Sequence, residues 1–263
     1  MSWQPIYLPL SAEEAELLQR TAERLQAYVD GSGAAIQRAR RERSPGSELS
    51  ALLNQHSSTP PEVELAEMRF FAALEHLATL SNAMVPGNAP LIFAPFTLMR
   101  TALEAAGYAA WAWEPDLPPG ERSTRGLQLR WDNLNEVVKM TRDAGAIARR
   151  DGLGVHGPPA AVEILGDLLP SPLGGGRLGE KLYRQLAGRG HAQPWTFVGA
   201  GAGSAISSDE NSVSMLLKPN LPQLVGALAP TLEVVECAVD RFGRLAGVVG
   251  ADWWGARPLA PVF

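Results

Sequence analysis

Arg100 and Glu104 stand four residues apart in "FTLMRTALEAAGYAAWAW", and Tyr108 continues their row. On a helix, that spacing puts three polar groups on one face of an otherwise hydrocarbon segment. A second concentration of reactive types is "YRQLAGRGHAQPW", which gathers Tyr183, Arg184, His191 and Trp195. Histidine suits proton transfer near neutral pH, and a carboxylate can orient it or relay its proton. Arginines hold an anionic group through paired N–H donors. The chemistry these types could do together is acid/base work on a small, anionic molecule, with His191, Glu104 and Tyr183 as the catalytic set. Arg100, Arg125 and Arg184 would bind substrate, and Trp111 and Trp195 would wall the site, with Trp113 in reserve. The competing reading is structural. Arg100 and Glu104 then form an ion pair that fixes helix register, with Arg125 or Arg130 from the next helix joining it, and His191 satisfies carbonyls at a helix end.

Helices must position these groups. Ser11 followed by Glu14 forms a capping box, and Leu18, Ala22, Leu25 and Val29 recur at helical spacing, so a first amphipathic helix is expected over 11–30. Residues 31–59 mix turn formers with Arg38, Arg40, Arg41 and Arg43 and read as a surface loop or short helix. A second helix opens at Pro60 and Pro61 and closes at Pro86 and Gly87. The third begins near Pro90 or Pro95, is apolar nearly all round, and is therefore the central helix. A fourth long helix starts after Pro118 and Pro119 and runs until the glycines after Arg150. Two short helices and a last long one follow, the latter with Pro230 as its bend point. Gly188 and Gly190 would let the chain reverse and bring His191 back toward the helix end. Only "WTFVGAGAG" resembles a strand, so the reading is an all-α, single-domain helical bundle over 1–263 with short connecting loops and a tail, 251–263, docked through Trp253 and Trp254.

The bulk numbers bound the function. The chain has 263 residues, 46% hydrophobic and 19% charged, with a formal net charge of -5. Such a chain folds on a large core, and its average field repels a polyphosphate, which argues against duplex nucleic acid. "APLIFAPFTLMRTALEAAGYAAWAW" is interrupted by Pro95, Arg100 and Glu104, so it reads as a core helix and not a membrane span. The N-terminus lacks a basic leader region, and a cytoplasmic location is expected.

Several chemistries lack their residues. The one cysteine, Cys237, lies in the apolar "LEVVECAVDRF" and reads as a small buried hydrophobe. Glu75 and His76 are adjacent and face different ways, and His56 and His156 fall in polar loops, so no metal is expected. "GGGRLG" has Gly174, Gly176 and Gly179 in nucleotide-loop spacing, but no strand leads into it. "VGAGAGSA" is followed by the polar "ISSDENS" and reads as a flexible loop. No cofactor is expected.

"FTLMRTALEAAGYAAWAWEPDLPPGERSTRGLQL" followed by "LYRQLAGRGHAQPW" resembles an uncharacterised family of all-helical proteins common in high-GC actinobacteria. That resemblance implies a helical fold and no particular activity. Arg184 and His191, with six residues between them, are similar to the Rx4-6H motif of HEPN ribonucleases. This second resemblance implies metal-independent RNA cleavage, in which arginine and histidine promote attack by a ribose 2′-hydroxyl, in a homodimer. The chain carries Gln185 after the arginine, and Gly188 and Gly190 inside the motif. A small-molecule pocket between helices is the first expectation, an HEPN-like ribonuclease the second, and a scaffold that binds partners without catalysis the third.

Overall fold

The computed structural model describes residues 2–7, 9–55, 61–86, 93–169, 177–190, 204–208, 212–217, 220–248 and 253–254. The fold is predominantly α-helical and includes one small three-stranded sheet. In chain order the helices are α1 (Ala12–Arg41), α2 (Glu48–Gln55), α3 (Pro61–Met84), α4 (Ala94–Ala112), α5 (Pro119–Thr141), α6 (Ala144–Asp151), α7 (Ala161–Leu168), α8 (Leu178–Gly190) and α9 (Leu221–Leu245). None is long and apolar enough to cross a membrane.

Helix α4 is the centre, as its composition predicts. Ala102, Leu103, Ala106, Ala109 and Ala110 are fully buried, because α3, α9, α7 and α8 all pack on it. Its alanines and Gly107 allow close approach. A Cβ at Gly107 would press on the side chain of Leu165 in α7. At its C-terminal end Trp113 sits between Phe70 of α3 and Phe242 of α9, with ring centroids 5.6 and 4.7 Å away. Burying such rings stabilises a fold by about 1.5–3 kcal/mol each, more than any surface ion pair here. Helix α1 lies across α3 and α9. The Ser81 hydroxyl donates to the Ala22 carbonyl at 2.7 Å, and the Tyr28 hydroxyl to the Leu232 carbonyl at 3.0 Å. Trp254 meets Tyr28 edge-on at 6.3 Å, while Trp253 packs close over Gly243. The rest of the expected tail lies outside the described residues.

The capping box of α1 is formed, Ser11 accepting from the Glu14 amide at 3.1 Å and Glu14 from the Ser11 amide at 2.8 Å. Its C-terminal limit differs from expectation. Most of 31–55 is helical, not loop: α1 continues to Arg41 and α2 spans Glu48–Gln55, while 56–59 lie outside the described residues. Ser32, Ala35, Ile36 and Ala39 extend the buried row of Leu18, Ala22, Leu25 and Val29. Burial of that row outweighs the glycine penalty at Gly31 and Gly33. The arginine run therefore sits in and just after the last turn of α1, where Arg38 pairs with Glu42 and Arg40 with Glu67.

The predicted long helix after Pro118 is two helices. Arg142 takes a left-handed conformation (φ 52°), and Asp143 starts α6 by accepting from the Ala146 amide at 2.6 Å. An aspartate that can cap competes with continuing the helix, and here it wins. Pro230 lies inside α9, which runs on past it to Leu245.

The sheet was not read from sequence. Strands β1 (Ser2–Tyr7), β2 (Ser204–Ser208) and β3 (Ser212–Leu217) form it in the order β1-β3-β2. β1 is parallel to β3 and β2 antiparallel to it, with an irregularity between Ala205 and Ser207. The expected strand at 195–203 lies outside the described residues. The polar stretch read as loop after it supplies β2.

Candidate functional site

Arg100, Glu104 and Tyr183 meet. Helix α8 packs along α4, and Gly179 in its first turn lies against the Leu165 backbone of α7. A glycine is needed there for close approach, which accounts for one member of the nucleotide-loop pattern without any nucleotide. This packing brings the Tyr183 ring beneath Arg100, whose guanidinium carbon is 5.2 Å from the ring centre. Arg100 donates to the Tyr183 hydroxyl at 3.1 Å, and that hydroxyl donates to Glu104 Oε2 at 3.0 Å. The direct Arg100–Glu104 approach is 3.9 Å, so the phenol is the better link between the two charges. Burial raises the Tyr183 pKa, the Arg100 hydrogen bond opposing it, so the hydroxyl keeps its proton at neutral pH. Tyr108, next on the row, donates to the Pro159 carbonyl at 3.2 Å and lies under Arg69 at 4.6 Å. Its hydroxyl is pushed up to about 12 by burial and then by the Glu104 carboxylate.

Arg125 does not join that cluster, contrary to expectation. It lies at the other end of α4 with two further arginines that the sequence reading passed over. Arg241 of α9 donates to the Ala110 carbonyl at 2.9 Å, Arg125 to the Trp111 carbonyl at 2.5 Å, and Arg122 to those of Ala112 and Glu114 at 3.2 and 2.8 Å. The last carbonyls of a helix lack intrahelical donors and carry the negative end of its dipole. Three guanidinium groups supply both the donors and the charge. Arg122, 1% exposed, is also held in fork geometry by Glu48 of α2. Glu114 bridges Arg125 and Arg241 at 3.3 and 3.2 Å, and Glu121 takes Arg125 at 2.7 Å. The available signal was a buried helix ending without a glycine cap, followed by arginines in elements packed on that end.

This end of α4 borders a pocket of about 520 Å³. Trp111, Glu114, Arg125 and Arg241 form one side, and Glu163, Ile164, Asp167 and Leu168 of α7 face them, with Pro159 and Arg177 at the margins. Arg125 also stacks on Trp111, 4.9 Å from its ring centre. Of the expected site residues, Trp111 and Arg125 border this pocket, whereas Arg100, Glu104 and Tyr183 do not. The single pocket expected from the sequence is thus two clusters separated along α4.

Arg184 belongs to neither. Its side chain is 70% exposed and pairs with Glu180 one turn earlier at 2.9 Å. His191 and Trp195 lie outside the described residues, as does His56. One expectation about their approach is corrected: α8 remains helical through Gly188 and Gly190, so the glycines do not reverse the chain before residue 191. Cys237 is a half-buried thiol on α9 whose pKa burial raises, the nearby Arg241 opposing it. Among the described residues, no group of three or more His, Cys, Asp or Glu side chains is arranged to hold a metal. No protein-family model matches the chain, no curated protein matches it in sequence, and no solved structure matches it.

Proposed function

We propose that this chain is a small-molecule-binding protein whose ligand lodges at the C-terminal end of α4, between α4, α5, α7 and α9. The observation that carries the reading is the recess of about 520 Å³ where Trp111 and Arg125 stand opposite charged and apolar groups of α7. Pockets of this size suit a small ligand, and with six charged residues among the ten that line it, polar contacts would orient that ligand. Arg125 is spent on holding the wall and so positions Trp111, while Trp111, Ile164 and Leu168 offer apolar contact. The test is a thermal-shift screen of a metabolite library against wild type and Trp111→Ala. A compound that stabilises wild type by several degrees should leave the variant unmoved. A library without any stabilising compound, or equal shifts in both proteins, would end the reading.

The HEPN-like ribonuclease is a second reading, favoured by one observation. The unbroken helical backbone through Gly188 and Gly190 removes the interruption between Arg184 and position 191, and Arg184 is open to RNA or to a second copy of the chain. It requires RNA cleavage in the presence of a chelator that Arg184→Ala and His191→Ala each abolish. Intact RNA after incubation with wild type would eliminate it.

A further inference from the structure

We infer that the pocket at the end of α4 is selective for an organic cation, an amine carried on a flat apolar body, and that Glu163 is the group that meets it. The inference rests on the pocket being the binding site. Three arginines border the recess, which on composition alone points to an anion. Each of them already pairs with a carboxylate. Arg125 is shared among the Trp111 carbonyl, Glu114 and Glu121, and Arg241 between the Ala110 carbonyl and Glu114. Arg177 stands 3.3 Å from Asp167. An anion would have to share these guanidinium groups with carboxylates that already neutralise them, and it would meet Glu114, Glu163 and Asp167 while doing so.

Glu163 differs from the other acids of the wall. Glu114 and Asp167 each have an arginine, whereas among the described residues no cation or donor reaches the Glu163 carboxylate. Glu163 and Asp167 are one turn apart on α7, so both carboxylates border the same opening. Trp111, Ile164 and Leu168 provide the apolar surface beside them. Trp111 already holds the Arg125 guanidinium over its ring, so the ligand's apolar body, not its charge, is what this side chain would meet. An ammonium group placed at Glu163 gains a charge-assisted hydrogen bond without breaking any existing pair, and its apolar body leaves water for the Trp111 side.

The test titrates the full chain calorimetrically with tryptamine, with its alcohol counterpart tryptophol, and with the carboxylate indolepropionate. These probes share one ring system and differ in charge. Wild type should bind tryptamine about tenfold more tightly than tryptophol, and the carboxylate least. Glu163 is exposed in the first turn of an eight-residue helix, so its replacement leaves the core intact. Glu163→Gln should abolish the preference for the amine, and Glu163→Lys should reverse it in favour of the carboxylate. Tightest binding of indolepropionate by wild type, or an unchanged preference in Glu163→Gln, overturns the charge assignment but leaves the pocket reading in place. Absence of binding by all three probes also overturns the assignment, and the library screen then decides the pocket reading independently.

Discussion

The Tyr183 hydroxyl donates to Glu104 at 3.0 Å while it accepts from Arg100, so a residue of α8 closes the ion pair that α4 only begins. Removing that hydroxyl leaves Arg100 and Glu104 3.9 Å apart with no good hydrogen bond between them. Because the cluster is partly exposed, water replaces some of what is lost. Tyr183→Phe is expected to cost about 1 kcal/mol in urea unfolding, with an unchanged slope. A variant as stable as wild type would show that the phenol contributes packing alone.

The arginines at the end of α4 are ranked by burial. Arg122→Met should destabilise by about 2–3 kcal/mol, since it strips the carbonyls of Ala112 and Glu114, at and just past the end of α4, of this donor and leaves Glu48 unpaired, though that carboxylate can turn to water. Arg125→Met should cost less, about 1 kcal/mol, because Arg125 is itself less buried than Arg122 and its partner Glu121 is half exposed. Chemical unfolding of both variants checks the order, and a larger loss at Arg125 would contradict it.

What could be read from the chain, and what could not, follows from the kind of contact involved. The cap at Ser11, the buried character of α4 and the Arg100–Glu104 row are side-chain patterns with a helical period, and each is visible in residue types. Arg122 and Arg241 act on backbone carbonyls, so beyond the missing glycine cap of α4 their residue types do not announce the contact. The passage of α1 through Gly31 and Gly33 depends on burial of Ser32 and Ile36 against the other helices, a tertiary effect that overrides local propensity. The end of α5 failed for the opposite reason: Asp143 capped a new helix inside a pattern that looked continuous. Strands β1 and β3 pair across most of the chain's length, and no local pattern announces such a partner.

Gly179 is a contact residue between α7 and α8, because a Cβ there would overlap the Leu165 carbonyl. Gly179→Ala should therefore cost about 1–3 kcal/mol, despite the gain in helix propensity that alanine brings elsewhere. Thermal unfolding decides it. A rise in Tm would mean that α8 can move away freely and that Tyr183 is not held against α4 by this contact.

The pH dependence of stability has an identifiable contributor in Glu67. Burial raises its pKa, and Arg40, 2.6 Å away, only partly opposes this. Its proton is thus held to higher pH in the native state than in the unfolded chain. The native state binds more protons in that interval, so this group's contribution is fully present below the unfolded pKa and declines as pH rises through the native one. Glu67→Gln cannot ionise. Relative to wild type it should be more favourable at about pH 7 than at about pH 4, a difference that paired Tm measurements can read. The opposite trend would mean that the Arg40 pair outweighs desolvation.

Nitrogen-edited NMR of the arginine Nε–H groups tests the central claim most directly, using a compound that stabilises the protein. If the ligand lies at the end of α4, the signals of Arg125, Arg241 and Arg177 shift on titration, while those of Arg100 and Arg184 stay in place. Shifts confined to Arg100 or Arg184, with the pocket arginines unmoved, would contradict the account.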